Sequence, residues 1–255
     1  MQKNIIKFLV CVILLWSPSV FSQTQSVWPA LKKIEVDKEM KTFVHIDPSL
    51  IEKQTLIAPK ESFESEDYID VLSFKLKKGA TEIYKLAYSP GPSVDPNFAI
   101  YPITQVNYDG ADDQNIGAIN IYITGNGFIY TDGHTNNMFN QRKKLEVKAG
   151  KLVEVVQPFD YVGLKTKIMK PYTLYEKRGN QGAVIATLPA NSDIEVLLGY
   201  RAVPAEGYNI QDFLVATPFG LVGWITIENN QFDWVEGETG SFNGTGVMGI
   251  SYRGD

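Results

Sequence analysis

The sequence predicts a mostly β chain in two parts, an antiparallel sheet or sandwich over residues 67–160 followed by a small β-barrel over 162–228. Three observations predict it. The 255 residues include 13 Tyr, 13 Phe, 21 Gly and 13 Pro, a composition that favours strands and turns. Helical periodicity is scarce, whereas two-residue alternation recurs. Turn residues punctuate the chain, and their spacing tightens after Gly163.

The first residues predict the compartment. Lys3 and Lys7 precede an uninterrupted apolar run, Phe8 to Trp16. Ser17-Pro18 breaks it, and Val20-Phe21-Ser22 places a small residue before Gln23. That order predicts a secretory signal peptide over residues 1–22; the run is well short of the roughly 20 residues a membrane span needs. Cys11 has no small residues before it and is followed by more apolar ones, so no lipid anchor is expected. Removing the signal removes the single cysteine, which excludes disulfides and thiol catalysis. It also removes two lysines and no acid, so the net charge of −5 becomes −7. That balance argues against nucleic acid and anionic membrane surfaces as partners. Nothing after Ser22 approaches a membrane span, and a periplasmic or extracellular location is expected.

The elements follow in order. Residues 23–66 show little pattern; Leu31, Ile34 and Met40 suggest one face of a short helix. Tyr68 to Lys77 and Glu82 to Tyr88 read as strands. Ser89 to Asn97 is a Pro/Gly loop that cannot continue a ladder. Phe98 to Tyr108 resumes as strand, with Pro102 pointing to an edge or a bulge. The clearest alternation sets Ile119, Ile121 and Ile123 against Asn120, Tyr122 and Thr124. Gly125-Asn126-Gly127 then turns the chain into Phe128-Ile129-Tyr130, a hairpin. A second hairpin is expected over Leu145 to Val156, turning at Ala149-Gly150. Gln157 to Gly163 reads as a junction. Beyond it, short strands are predicted at Lys165–Met169, Thr173–Tyr175, Val184–Leu188, Asp193–Leu198, Phe213–Thr217 and Leu221–Ile227. So many short strands in so little chain suit a closed barrel, which leaves no sheet edge exposed. Residues 229–255 read as a loose, glycine-rich tail, to which Val247–Tyr252 could add one strand as the alternative.

Three stretches carry a resemblance. Leu174-Tyr175-Glu176-Lys177 is followed by Gly182-Ala183-Val184-Ile185-Ala186-Thr187-Leu188-Pro189-Ala190-Asn191-Ser192-Asp193-Ile194-Glu195-Val196, and then by Phe213-Leu214-Val215-Ala216-Thr217-Pro218-Phe219-Gly220-Leu221-Val222-Gly223-Trp224-Ile225. The set resembles the bacterial SH3-like (SH3b-type) domain and covers about a quarter of the chain. Gly220 suits a chain reversal, Gly223 leaves room for a neighbour, and Trp224 offers bulk for a small core. Two departures stand out. The opening strand reads Lys170-Pro171-Tyr172-Thr173-Leu174-Tyr175 instead of an Asn-Val-Arg-type sequence, and the loop from Gly199 to Asp212 is long. No ligand residue carries over across either. The resemblance implies binding, commonly of peptidoglycan or its peptides, and in some relatives contact with another protein.

Candidate chemistry is sparse. His45 and His134 lie far apart and outside any zinc-ligand spacing, so no metal and no cofactor are expected. Asp109, Asp112 and Asp113 crowd one loop without the EF-hand pattern; a polar turn is the simpler reading, and a carboxylate hydrolase the bolder one. No nucleophile elbow or phosphate loop is present. Asn243-Gly244-Thr245 and Arg253-Gly254-Asp255 are three-residue matches of the kind that chance supplies. The aromatic residues Tyr172, Tyr175, Tyr200, Tyr208 and Phe213 suit contact with a glycan or peptide. Against this, Tyr175 and Phe213 also suit a core, with the loop tyrosines covering the barrel mouth. The expected function is therefore a non-enzymatic, secreted binding protein of the cell envelope, with peptidoglycan or a peptide as ligand. The alternatives are an interaction, inhibitor or accessory protein acting on another secreted protein, and a carboxylate-based hydrolase.

Overall fold

A computed structural model describes residues 30–59, 68–91, 96–104, 115–133, 138–201, 210–228, 235–237, 240–242 and 245–250. The Asp109–Asp113 loop, His134, Tyr208, the residues of the predicted signal peptide and the Arg253-Gly254-Asp255 tripeptide lie outside them. Among the described residues the regular structure is strand, with a single 3-10 turn at Pro48–Leu50.

Residues 31–40 form no helix. Ile34 and Val36 alternate with exposed Lys33 and Glu35 in β1 (Lys32–Asp37). After a tight turn with Lys41 at positive φ, β2 (Thr42–Ile46) pairs back on β1. A period of two buries both β-branched residues on one side, which a helical path through these residues cannot do. Asp37, 1% exposed, fixes the turn by accepting hydrogen bonds from the Met40 amide (3.0 Å) and the Tyr88 hydroxyl (2.9 Å).

Two sheets face each other in a sandwich-like arrangement. The first continues β1–β2 with β8 (Asn120–Ile123), β9 (Ile129–Gly133), β10 (Gln141–Lys148) and β11 (Lys151–Glu154). Its β2–β8 pair is parallel and the rest are antiparallel, so this sheet is mixed rather than wholly antiparallel. The second sheet orders β3 (Ile51–Gln54), β4 (Ile69–Phe74), β5 (Tyr84–Ser89), β6 (Asn97–Pro102) and β7 (Asn115–Gly117), all antiparallel. Pro102 ends β6. Between the sheets Ile34, Val44, Ile46, Ile121, Ile123 and Ile129 meet Leu72, Phe74, Leu86, Tyr88, Phe98 and Ile100 in one core. Residues 32–54 thus belong to the same packed body as the strands from Ile69 onward.

Four tyrosines of this body hold their protons beyond the ordinary range. Burial pushes Tyr84 up to about 12, helped by its bond to Glu82. Burial likewise raises Tyr88, Tyr101 and Tyr122, aided by Asp37, Asp70 and Asp132 respectively. The unfolded chain releases phenolic protons near pH 10, while the folded chain keeps them. The stabilisation is complete below about pH 10 and is lost as pH rises towards 12. Urea midpoints are therefore expected to stay level up to about pH 10 and fall above it, less steeply in Tyr101→Phe; a level midpoint to pH 12 contradicts the assignment.

The C-terminal sheet orders β12 (Phe159–Lys167), β15 (Asp193–Tyr200), β16 (Ile210–Ala216), β17 (Val222–Glu228), β13 (Tyr172–Lys177) and β14 (Gln181–Leu188). Every pairing in it is antiparallel. The closed barrel read from the sequence is not found: end strands β12 and β14 do not pair with each other. Instead the end of β12 is covered by residues 246–248, with Met169 N donating to Gly246 O, Met248 N to Lys167 O, and a bridge between Ile168 and Val247. A short hairpin of β18 (Val235–Gly237) and β19 (Gly240–Phe242) stands in the expected tail.

From Phe159 onward the expected junction at 157–163 is also strand. Phe159 to Tyr161 pair with Leu198 to Tyr200, and the register slips by a bulge before Leu164, where Gly163 has φ +65°. The core of this sheet holds Ile168, Leu174, Ile194, Val196, Phe213, Val215, Ile225 and Ile227, with Val247 and Ile250 from the C-terminal segment and Met138 and Phe139 from the bend just before β10.

Candidate functional site

Alternation along β17 decides which side chains meet solvent. Gly223, Ile225 and Ile227 are buried, and Trp224 and Thr226 take the other face. Trp224 is half-buried there and does not fill the core, which corrects the role expected of it. Both registers of Val222-Gly223-Trp224-Ile225-Thr226-Ile227 offer apolar residues. Ile225 lies opposite Phe213 and Trp224 opposite Leu214, so the buried ring of Phe213 occupies the volume that an inward indole needs. At Gly223 an added Cβ would meet Leu174 Cβ and Ile185 Cδ1 at 3.0 Å, so the missing side chain permits close approach. Gly220, at φ +93°, closes the turn with its amide donating to Thr217 O.

Trp224 therefore belongs to an outward row with one residue from each strand. Val184, Tyr175, Trp224, Leu214, Leu198 and Tyr161 are successive cross-strand partners. Phe159 and Tyr200 lie beside the row as a facing pair with ring centroids 5.9 Å apart, and Phe159 comes within 6.2 Å of the indole. Three strand spacings separate Phe159 from Trp224, about 14 Å in a flat sheet; coiling of the sheet brings the rings together. Phe159 is 39% and Tyr161 56% exposed.

Polar groups frame the rings. The Arg178 guanidinium lies 3.3 Å from the centre of Tyr200, and that of Arg142, from β10, 5.2 Å from the centre of Tyr161. Asp212 accepts hydrogen bonds from the Gly179 amide (3.1 Å) and the Thr226 hydroxyl (2.6 Å), which fixes the β13–β14 turn carrying Arg178.

The aromatics singled out in the sequence thus divide. Tyr175 and Tyr200 stand on this face. Phe213 is fully buried in the core, with its ring 5.7 Å from Phe139, and has no surface to offer. Tyr172 packs against the core and donates its hydroxyl to Thr245 O, tying down the C-terminal segment. Phe159, Tyr161 and Arg178 were not expected here. The signal for the first two is the pattern Phe-Asp-Tyr at 159–161, two aromatics alternating with a buried acid.

The chain matches no family model, no curated protein and no solved structure. The likeness of 162–228 to SH3-like domains accordingly rests on the residues alone.

A second polar and aromatic surface adjoins the first through Arg142. On the outer face of the six-stranded sandwich sheet, Lys33, His45, Tyr122, Tyr130 and Lys144 form one cross-strand row. His45 stacks on Tyr122, with centroids 4.6 Å apart and planes 12° apart. Asp132 accepts from Asn120 Nδ2 at 2.7 Å and Tyr122 Oη at 2.9 Å. Asn120 Oδ1 in turn lies 3.3 Å from His45 Nε2. Burial holds His45 below its ordinary range, opposed by its bond to Asn120. A cavity of about 380 Å³ opens beside these groups, lined by Tyr122, Tyr130, Asp132, Arg142, Lys144 and Gln157 among others. Among the described residues no group of three His, Cys, Asp or Glu side chains is placed to hold a metal ion, and no helix is long and apolar enough to cross a membrane.

Proposed function

We propose that the chain is a non-catalytic, secreted binding protein of the cell envelope. In this reading residues 162–228 form an SH3-like module, opened at one edge, that holds peptidoglycan or a peptide. The observation that supports it is the outward aromatic face of Phe159, Tyr161, Tyr175, Tyr200 and Trp224, framed by Arg142, Arg178 and Asp212. Such a face gives contact area at small entropic cost, and its charged rim orients a polar chain.

Sedimentation with purified peptidoglycan tests the proposal. The mature protein is expected to co-sediment, and Trp224→Ala combined with Phe159→Ala to reduce retention by about tenfold or more, the loss typical of central aromatic anchors. Both side chains point away from the core, so the thermal midpoint is expected to change little. Retention no greater than that of an unrelated β protein, or equal retention by the double variant, overturns the proposal.

A further inference from the structure

Lys75, Lys78, Lys85, Lys148, Lys167 and Arg201 pair with carboxylates. Three cations on the outer face of the six-stranded sandwich sheet are held differently. Lys33 Nζ rests 3.6 Å from the centre of the Phe43 ring and Lys144 Nζ 3.7 Å from that of Phe128, while the Arg142 guanidinium lies over Tyr161. Among the described residues none of the three forms an ion pair with a carboxylate. A ring face holds a cation in place, yet it leaves the charge unneutralised and the N–H donors unspent.

Arg142 and Lys144 both line the cavity of about 380 Å³, a volume within the range of small-molecule sites. Every side chain around it carries a hydrogen-bonding group, and none is aliphatic. Asp132 is the cross-strand neighbour of Arg142, yet its oxygens accept from Asn120 and Tyr122 instead. The guanidinium fork therefore stays open to an outside acceptor. Lys33 stands at the far end of the row that runs through His45, Tyr122 and Tyr130 to Lys144. Four strand spacings separate the two lysines, about 19 Å in a flat sheet.

We infer that this face binds an acidic polysaccharide. One sugar-acid unit fills the cavity with its carboxylate on Arg142 and Lys144, and the chain runs across Tyr122 and His45 to a further carboxylate on Lys33. Three observations select that ligand. An open guanidinium beside an ammonium suits a carboxylate, which Arg can take with two parallel bonds. The tyrosine hydroxyls, Gln157 and Asp132 suit the hydroxyl groups of a sugar, whereas a lipid or an apolar side chain would leave them unpaired. Asp132 brings a carboxylate of its own, so a ligand unit with one negative charge fits better than a phosphate monoester with nearly two. Cations at both ends of the row call for a ligand whose charge repeats. The chain carries 29 acidic against 24 basic residues, so such a polymer is repelled elsewhere and steered to this face. The site lies on the sandwich and does not rest on the peptidoglycan reading.

Isothermal titration calorimetry of the mature chain tests this, with tetramers of galacturonate, mannuronate and guluronate as probes and their methyl esters as uncharged counterparts. At least one acid tetramer is expected to bind about tenfold or more tightly than its ester. Lys144→Gln and Arg142→Gln are each expected to weaken that binding by about tenfold, and Arg142→Lys by less, since it keeps the charge and loses the fork. Lys33→Gln is expected to weaken the tetramer and leave the single sugar acid unchanged. That contrast within one variant separates a lost contact from a misfolded chain. No binding of any acid tetramer, equal affinity for acid and ester, or a Lys144→Gln variant that binds like the wild type overturns the inference. Displacement of the tetramer by an equal concentration of inorganic phosphate also overturns it, in favour of a phosphate site.

Discussion

Phe139→Ala is expected to destabilise the C-terminal sheet by about 3–5 kcal/mol, the usual cost of emptying a buried aromatic site. The residue lies two positions before β10 of the sandwich, yet its ring is 6% exposed and sits in the other core, edge-on to Phe213. Gly199 of β15 makes room for it, since a Cβ there would stand 3.1 Å from the ring. Phe139 therefore acts as a peg joining the two packed bodies. Amide exchange is expected to quicken along β15, β16 and β17, while β2, β4, β5 and β8 keep their protection. Gly199→Ala is expected to crowd the same ring at a smaller cost, about 1–3 kcal/mol. Equal acceleration throughout the molecule would show that the two cores unfold as one and that the peg is not local.

Asp160→Ala is expected to cost on the order of 3 kcal/mol, the loss seen when one partner of a buried ion pair is removed. Asp160 is 6% exposed and accepts from Arg201 Nη2 at 2.5 Å, Arg201 Nε at 3.2 Å and Gln141 Nε2 at 3.1 Å. Arg201 also pairs with Glu154 through Nη1. Burial works against the charged guanidinium, but the bonds to Asp160 and Glu154 outweigh it, so its pKa ends above the ordinary value. Without Asp160 the cation stays largely desolvated with one carboxylate. Replacing both partners, Asp160→Leu with Arg201→Met, is expected to recover most of the stability, because no charge then remains unpaired. Urea midpoints of the single and double variants check this. A double variant no better than the single one would show that the groups contribute by shape rather than by charge.

Local period was what the sequence displayed best. The hairpin of β8 and β9 was legible because Ile121 and Ile123 alternate with Asn120 and Tyr122, and because Gly125 and Gly127, at φ +85° and +90°, turn the chain. The β10–β11 turn at Ala149-Gly150 was legible for the same reason. Side-of-sheet choices were not, where both faces are apolar. Trp224 and Ile225 compete for the interior, and only the cross-strand neighbour Phe213 decides between them. The segment from Lys32 to Gln54 was obscure because its charges dilute the alternation, and its strands gain their partners from β8 and β4, far along the chain. Of the candidate site, Tyr175 and Tyr200 were foreseen. Phe159 and Tyr161 were hidden by the reading of 157–163 as a junction, since an aromatic beside a buried acid reveals its strand only once Arg201 is known to reach that acid.

The parallel pair β2–β8 has a kinetic consequence. His45 and Asn120 touch across it although 75 positions separate them, and all of β3 to β7 is threaded between. The first large sheet cannot close until that excursion has returned, so the entropy of a long loop is lost before the pair rewards it. Chains with such distant contacts tend to fold in milliseconds to seconds rather than microseconds. Until that return the β1–β2 ribbon has no third strand, and a lone two-stranded hairpin is marginally stable in water.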